Sequence, residues 1–275
     1  MPAQFYIVAT PIGNLSDITY RAVDVLKKVD YIACEDTRVT RVLADKYGFG
    51  AKLFDCHKFN EKERSEKIIS LLKQGSDVAL VSDAGTPAIS DPGSVLVKEL
   101  LNEGIKVTSL PGACAVSTFL SMVPRETEEY AFIGFIPRNN KQQVDVLLKY
   151  KYTNCVFYES PNRLIETLEN IQEIYGSNKK VAVGRELTKM YEEVQIGTVS
   201  EIINYYTSNT LKGEIVAMVF ASESTDVKND ELLEKINLLK EEGFSQKDIS
   251  KIISKLYGVN KNKIYKMTID WFYSW

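Results

Sequence analysis

Histidine is almost missing from this 275-residue chain: His57 stands alone and lies in no motif. No Ser-His-Asp or Cys-His arrangement can be assembled around it, which removes the common nucleophilic hydrolases, and His57 reads as structural. Cysteine is sparse too. Cys34, Cys56, Cys114 and Cys155 are far apart and no pair has metal-ligand spacing, so no metal site is expected. The thiols read as reduced and the compartment as cytoplasmic. No apolar run approaches the ~20 residues of a membrane helix. The opening Met-Pro-Ala-Gln-Phe-Tyr-Ile-Val lacks the basic start and cleavage site of a signal peptide. No P-loop is present. Basic residues are not in excess either: 34 Lys and Arg against 37 Asp and Glu give a formal net charge of −3. That argues against indiscriminate nucleic-acid binding but leaves room for a local basic face. Such a face lies between Ser245 and Thr268, where Lys247, Lys251, Lys255, Lys261, Lys263 and Lys266 stand against the single acid Asp248.

What is present is an alternation of apolar runs and amphipathic stretches, the pattern of an α/β protein. Phe5–Ala9 reads as a strand that Pro11 and Gly13 stop, and a helix follows from about Thr19. Strands are expected at 31–34, 77–81 and 106–110, with helices at 61–72 and 94–102. The polar stretch 123–129 breaks the alternation and marks a domain boundary. A second α/β unit follows, with strands near 131–135, 155–158, 181–185, 192–196 and 215–220 and helices near 141–148 and 162–175. Beyond a polar linker at 222–226 the pattern is purely helical. Leu232, Leu233, Ile236, Leu238 and Leu239 mark a first helix, ended near Gly243. Ser245 N-caps a second helix that Gly258 ends, and a third runs towards Trp271, a helix-turn-helix-like module.

The loops after the strands carry the chemistry. Pro11-Ile12-Gly13-Asn14 lacks the G-x-G-x-x-G of a dinucleotide site, although Glu35 and Asp36 follow at the distance where an acid could take a ribose hydroxyl. From Asp83 to Gly93, two prolines and two glycines build a rigid loop at a strand's C-terminal end. Proline supplies no N–H, so this loop is poor in donors for an anion; it suits an adenosyl and amino-acid ligand with a sulfonium cation better than a triphosphate. Pro111-Gly112-Ala113-Cys114-Ala115 offers a second close backbone approach. In the second unit Glu159-Ser160-Pro161-Asn162-Arg163 and Arg185-Glu186-Leu187-Thr188-Lys189 follow strands. With Arg138 and Lys141 they suggest a cleft facing a polyanion.

Taken in order, the segments 8–19, 35–38, 81–87 with 89–93, 134–137, 159–161, 185–189 and 212–214 closely resemble the bacterial 16S rRNA cytidine 2′-O-ribose methyltransferases. These are a branch of the tetrapyrrole (class III) methylase superfamily. The resemblance covers about residues 4–222, and the tail is similar to that family's helical module. It implies two α/β domains, at 1–122 and 123–225, and a helical module at 226–275. It further implies S-adenosylmethionine in the cleft between the α/β domains, 16S rRNA of the small ribosomal subunit as substrate, a homodimer and no membrane. By the same resemblance Pro11, Asp83, Ala84, Gly85, Thr86, Ile89, Cys114 and Ala115 contact the cofactor from the first domain, and Glu159, Leu187 and Glu214 from the second. Three departures stand out: Ala113-Cys114 where Pro-Ser is commoner, Asn162 where histidine is common, and Asn139-Asn140 where the basic run is usually denser.

The reaction so implied is displacement of a sulfonium methyl by a ribose 2′-oxygen. Asp17, Asp36, Glu159 and Glu186 are candidate acids or bases; Arg38, Arg138, Lys141, Arg163 and Arg185 are candidate phosphate holders. The residues alone do not rank them. Rival readings are the same fold acting on a tetrapyrrole, another small molecule or a modified histidine of a translation factor, and a non-catalytic RNA-binding assembly protein.

Overall fold

Short apolar runs of the first unit become four-residue strands. In a computed structural model describing residues 2–209, 211–222 and 229–270, β1 (Phe5–Val8) leads through a short 3-10 turn, Leu15–Asp17, to α1 (Tyr20–Lys28). Then come β2 (Tyr31–Cys34), α2 (Thr37–Tyr47), β3 (Lys52–Asp55), α3 (Glu61–Lys73), β4 (Val78–Val81), α4 (Ser94–Asn102) and β5 (Val107–Leu110). The strands form one parallel sheet in the order β3-β2-β4-β1-β5. Helices cover both faces, as a parallel sheet requires. Val8, Leu26, Ile32 and Leu43 fill one side, and Phe5, Ile68, Leu80 and Leu96 the other.

The sequence reading has no element at α2 or β3. Asp36 accepts the Arg38 N–H as N-cap of α2, and Gly48 closes that helix in the left-handed conformation, so local signals for both ends are present. β3 is an edge strand whose one buried side chain, Phe54, gives too little pattern to read.

After α5 (Ala115–Met122) the chain builds a second sheet. Its elements are β6 (Tyr130–Phe135), α6 (Asn140–Lys149), β7 (Asn154–Glu159), α7 (Leu164–Tyr175), β8 (Lys180–Arg185), β9 (Glu193–Thr198), α8 (Val199–Ser208) and β10 (Ile215–Val219). The order is β6-β7-β10-β8-β9, with β6 and β7 parallel and the other pairs antiparallel. α8 is also absent from the sequence reading, although Thr198 and Glu201 form a reciprocal capping box at its start. Leu147, Phe157, Leu168 and Ile202 pack on one face of this sheet. On the other face α5 presses Val116, Phe119 and Leu120 against Val156, Ala182 and Met218. Gly184 makes that approach possible: a Cβ there would meet Phe119 Cδ2 at 2.7 Å. Full burial of a side chain such as Phe119 contributes about 1.5–3 kcal/mol.

The two sheets and their helices form one compact unit, residues 1–220, and residues 221–275 form another. The second consists, among the described residues, of α9 (Asn229–Glu241), α10 (Gln246–Tyr257) and α11 (Lys261–Asp270). Leu232, Ile236, Ile249, Ile253 and Ile264 form its core. Ser245 caps α10 by accepting the Asp248 N–H, and Gly258 ends it with φ +67°. The expected linker from residue 223 onward and Trp271 lie outside the described residues. Among the described residues no helix is long and apolar enough to cross a membrane.

Candidate functional site

The loops that leave the C-terminal edge of the parallel sheet are fastened to one another. β1 and β4 are neighbours whose chains run to opposite sides, so their following loops open a crevice of the kind that binds ligands in α/β sheets. Thr10 N donates to Gly85 O at 2.9 Å and Gly85 N to Thr10 O at 3.0 Å, joining the two loops. Thr86 Oγ1 donates to Ala113 O at 3.1 Å, joining the second of them to the loop after β5. Glu61, at the first turn of α3 but buried, reaches across to α4. Its Oε1 accepts the N–H groups of Gly93, Val95 and Leu96 at 2.9, 2.9 and 3.0 Å. A carboxylate at a helix N-terminus satisfies orphan donors and favours the helix dipole, and here it pins the end of the 82–93 loop.

Between this edge and the second sheet lies a cavity of about 360 Å³. Ile12, Ala84, Gly85, Thr86, Ile89, Ser90, Asp91, Cys114 and Ala115 form one wall. Phe135, Tyr158, Glu159, Ser160, Pro161, Leu187 and Gly213 to Val216 form the other. Ile89 and Phe135 stand exposed at its mouth. The volume is within the ~300–1,000 Å³ of typical small-molecule sites. Three acids line it, and among the described residues no lysine or arginine does.

The three acids differ in what holds them. Glu159 is buried and satisfied: Ser160 N and Arg163 Nη1 donate to Oε1 at 2.7 and 3.2 Å, and Thr167 Oγ1 to Oε2 at 2.7 Å. Glu214 Oε2 accepts from Lys189 Nζ at 3.0 Å. Among the described residues no lysine or arginine forms an ion pair with Asp91. Burial raises its pKa above the usual carboxylate value, a hydrogen bond from Ser82 opposes this, and the Asp83 charge adds to it. Asp83 and Glu35 are likewise raised, by burial first and then by neighbouring carboxylates.

The loop after β8 is strained. Glu186 and Thr188 have φ of +49° and +66°, a region costly for residues other than glycine, and such strain persists only where surrounding bonds fix it. Lys189 Nζ donates to Glu186 Oε1 at 2.8 Å, which also accepts Glu214 N at 2.9 Å. Burial pushes the Glu186 carboxyl up, but these two hydrogen bonds outweigh it and leave the pKa low. Gly213 makes room: with φ +94°, a Cβ there would sit 2.3 Å from the Glu186 carboxyl. Across the cleft, Asn14 N donates to Thr188 Oγ1 at 3.2 Å and Gly13 lies against the Lys189 side chain.

Residues 4–203 match the family model of the Tetrapyrrole (Corrin/Porphyrin) Methylases. The chain belongs to this family. Among curated proteins, Ribosomal RNA small subunit methyltransferase I of Vibrio cholerae is 39% identical over 271 residues, 96% of this chain and 94% of that protein. The protein of that name from Bacillus subtilis is 44% identical over 228 residues, 82% of this chain and 78% of that protein. Among solved structures, a cobalt precorrin-4 methyltransferase aligns with TM-score 0.59 and 18% identity over 79% of this chain and 94% of its own. A Thermus thermophilus uroporphyrin-III C-methyltransferase complexed with S-adenosylhomocysteine aligns with TM-score 0.57 and 15% identity over 79% of this chain and 97% of its own. These structures share the fold of the two-sheet unit.

In this tetrapyrrole methylase the cavity gathers Ala84, Gly85, Thr86, Ile89, Cys114, Ala115, Glu159, Leu187 and Glu214 from the sequence-expected set. Pro11 and Asp83 are not in its wall. Asp83 instead accepts Asp36 N at 3.0 Å and ties the loop after β2 to the loop after β4. Asp36 caps α2 and pairs with Arg38 at 2.6 Å; that hydrogen bond holds its pKa down at about 2. Asp17 is exposed in the 3-10 turn. Arg163 and Arg185 are not free cations: the first bonds Glu159 and Pro137 O, the second Glu193 at 2.9 Å. Arg138 and Lys141 are exposed and follow the wall residue Phe135 in the chain, but neither lines the cavity. The sequence reading did not select Ile12, Asp91, Phe135, Tyr158 or Pro161 as site residues. All but Tyr158 fall inside the segments that carry the family resemblance, and Tyr158 is the residue before Glu159.

Proposed function

We propose that this chain methylates the ribose 2′-hydroxyl of a cytidine in 16S rRNA of the small ribosomal subunit, with S-adenosylmethionine as donor. The carrying observation is the cavity between the sheets, walled by three carboxylates and small or apolar side chains. It suits a cationic adenosyl amino acid and is unsuited to a polyphosphate. Asp91 and Glu214 would face the positive groups, Ile12, Leu187 and Ile215 the adenosyl moiety, and the backbone at Ala84–Thr86 and Cys114–Ala115 would approach closely. When bound, S-adenosylmethionine supplies a methyl group already activated by its sulfonium. The relatives named for methylation of small-subunit ribosomal RNA supply the substrate class, and the motif resemblance supplies the 2′-oxygen.

The chain's own residues chiefly align the acceptor and exclude water. Of the four expected acids or bases, Glu159 is consumed by three donors, and Asp36 and Glu186 have depressed pKa values that make them weak bases. Glu35 and Asp91, raised by burial, are the stronger bases at this edge. Of the five expected phosphate holders, Arg138 and Lys141 are exposed, and Arg38, although paired with Asp36, leaves 89% of its side chain exposed; these three would meet phosphates. In this reading residues 1–122 and 123–225 are the two α/β domains, 226–275 add a lysine-bearing RNA-docking module, and the protein acts as a homodimer in the cytoplasm.

The test is tritium transfer from labelled S-adenosylmethionine to small ribosomal subunits that lack the modification, followed by digestion to nucleosides. Labelled 2′-O-methylcytidine is expected. Cofactor binding without incorporation into RNA overturns the substrate assignment.

A further inference from the structure

We infer that Phe59 is a stacking platform for an unpaired base of the RNA acceptor; the inference rests on the proposed RNA substrate. Phe59 lies at the tip of the loop between β3 and α3, on the same sheet edge as the cavity, and is 96% exposed. An exposed apolar ring needs no explanation by itself, but the loop that carries this one is held rigid. Arg64 Nη2 grips Asp55 at 2.9 and 3.1 Å and Arg64 Nε donates to Asp55 O at 2.9 Å. Asn60 Oδ1 accepts His57 N at 2.8 Å, its side-chain amide donates to Asp55, and Asn60 N donates to His57 O at 3.0 Å. His57 sits edge-on to Phe59 with ring centroids 6.1 Å apart.

The loop is also wired to the cavity. Glu61, two residues after Phe59, bonds Gly93, which is two residues after the wall residue Asp91. Glu35, His57 and Asp91 follow β2, β3 and β4, which are neighbours in the parallel sheet, so they share one sheet edge with the cavity. Lys58 and Lys62, before and after Phe59 in the chain, are exposed, and Arg38 projects from the first turn of α2, after the neighbouring strand β2. A fixed aromatic face flanked by cations matches how proteins hold single-stranded RNA, with bases stacked on rings and phosphates met by Lys and Arg. A ribose whose 2′-oxygen must enter a walled cavity has to be pulled out of any helix, which leaves a neighbouring base in need of a stacking partner.

The experiment compares the full-length protein with F59A, F59L and F59W in methyl transfer to small ribosomal subunits lacking the modification. S-adenosylmethionine affinity is followed by calorimetry and folding by thermal melting. The expected result is a KM for subunits raised roughly ten-fold in F59A and F59L, with kcat, cofactor affinity and melting unchanged, and wild-type behaviour in F59W. An F59A enzyme with wild-type KM, or an F59L enzyme as good as F59W, overturns the stacking role and leaves the RNA substrate standing. A wild-type protein that binds the cofactor yet transfers no methyl group to RNA overturns both.

Discussion

Replacing Glu61 by alanine tests whether a side chain far in sequence from the 82–93 loop sets the shape of the cavity. In the native fold one carboxylate oxygen accepts three backbone N–H groups, from Gly93, Val95 and Leu96, two of these bonds being buried. Alanine leaves those donors without a partner and removes the negative charge from the start of α4. Hydrogen bonds to charged groups contribute about 1.5–3 kcal/mol each, and loss of a cap costs about 0.5–2 kcal/mol. Three bonds sharing one oxygen are not additive, and water can reach the Val95 N–H, so the expected loss is about 3 kcal/mol. For a unit of 220 residues each kcal/mol lowers Tm by about 2–4 °C, which gives a drop of roughly 6–12 °C. Glutamine keeps an oxygen acceptor but not the charge, so E61Q should fall between the two. Differential scanning calorimetry measures the stability, and titration with S-adenosylmethionine measures the cavity, whose affinity should weaken as the Asp91–Gly93 segment loosens. A melting point within 2 °C of wild type would refute the view that Glu61 holds this loop.

Three further outcomes are expected. K189M removes the bridge between Glu186 and Glu214 and should weaken S-adenosylmethionine binding about ten-fold, or ~1.4 kcal/mol; unchanged affinity by calorimetry would mean the strained loop holds itself. Alkylation with iodoacetamide should label Cys114 and be blocked by S-adenosylmethionine; burial raises the thiol pKa of Cys34 to about 11 and of Cys56 and Cys155 to about 12, so mass spectrometry should find these unmodified. Glu35, Asp83 and Asp91 bind their protons more tightly folded than unfolded. The cost of their ionisation is therefore absent below the ordinary carboxylate range and complete above the raised values, so stability of the unliganded protein falls as pH rises through that window. A cationic ligand favours the ionised form of Asp91, so S-adenosylmethionine affinity should decline on acidification and D91N should flatten the profile; an affinity independent of pH in the wild type would remove Asp91 from the cation's surroundings.

The alternation of strand and helix was legible because β1, β2, β4 and β10 are continuous apolar runs between breakers, which is how strands covered on both faces must read. The cavity loops were legible because their prolines and glycines sit at strand ends. Elements α2, β3, α5 and α8 were not: β3 buries little, and α8 carries Ile and Tyr residues that favour strands, with only its cap to say otherwise. The engagement of Glu159 by Arg163 and Thr167, of Asp83 by the Asp36 N–H, and of Glu61 by α4 had no sequence signal. Each is a pairing that depends on where other elements have packed, and a charged side chain in a helical stretch reads as exposed until its partner is known.

Helix α5 does two things at once, and this limits how the molecule can move. Its first residue, Ala115, and its cap, Cys114, form part of the cavity wall, while its body, through Phe119, is seated on the second sheet at Gly184. Lifting this helix from the second sheet would expose Val116, Phe119 and Leu120 to water. The start of α5 is therefore fixed relative to the second sheet, although Cys114 and Ala115 stand in the same wall as the loops of the first sheet. A loosened α5 would shift part of that wall together with the second sheet, so packing at Gly184, remote from the cavity, helps to set the cavity's shape.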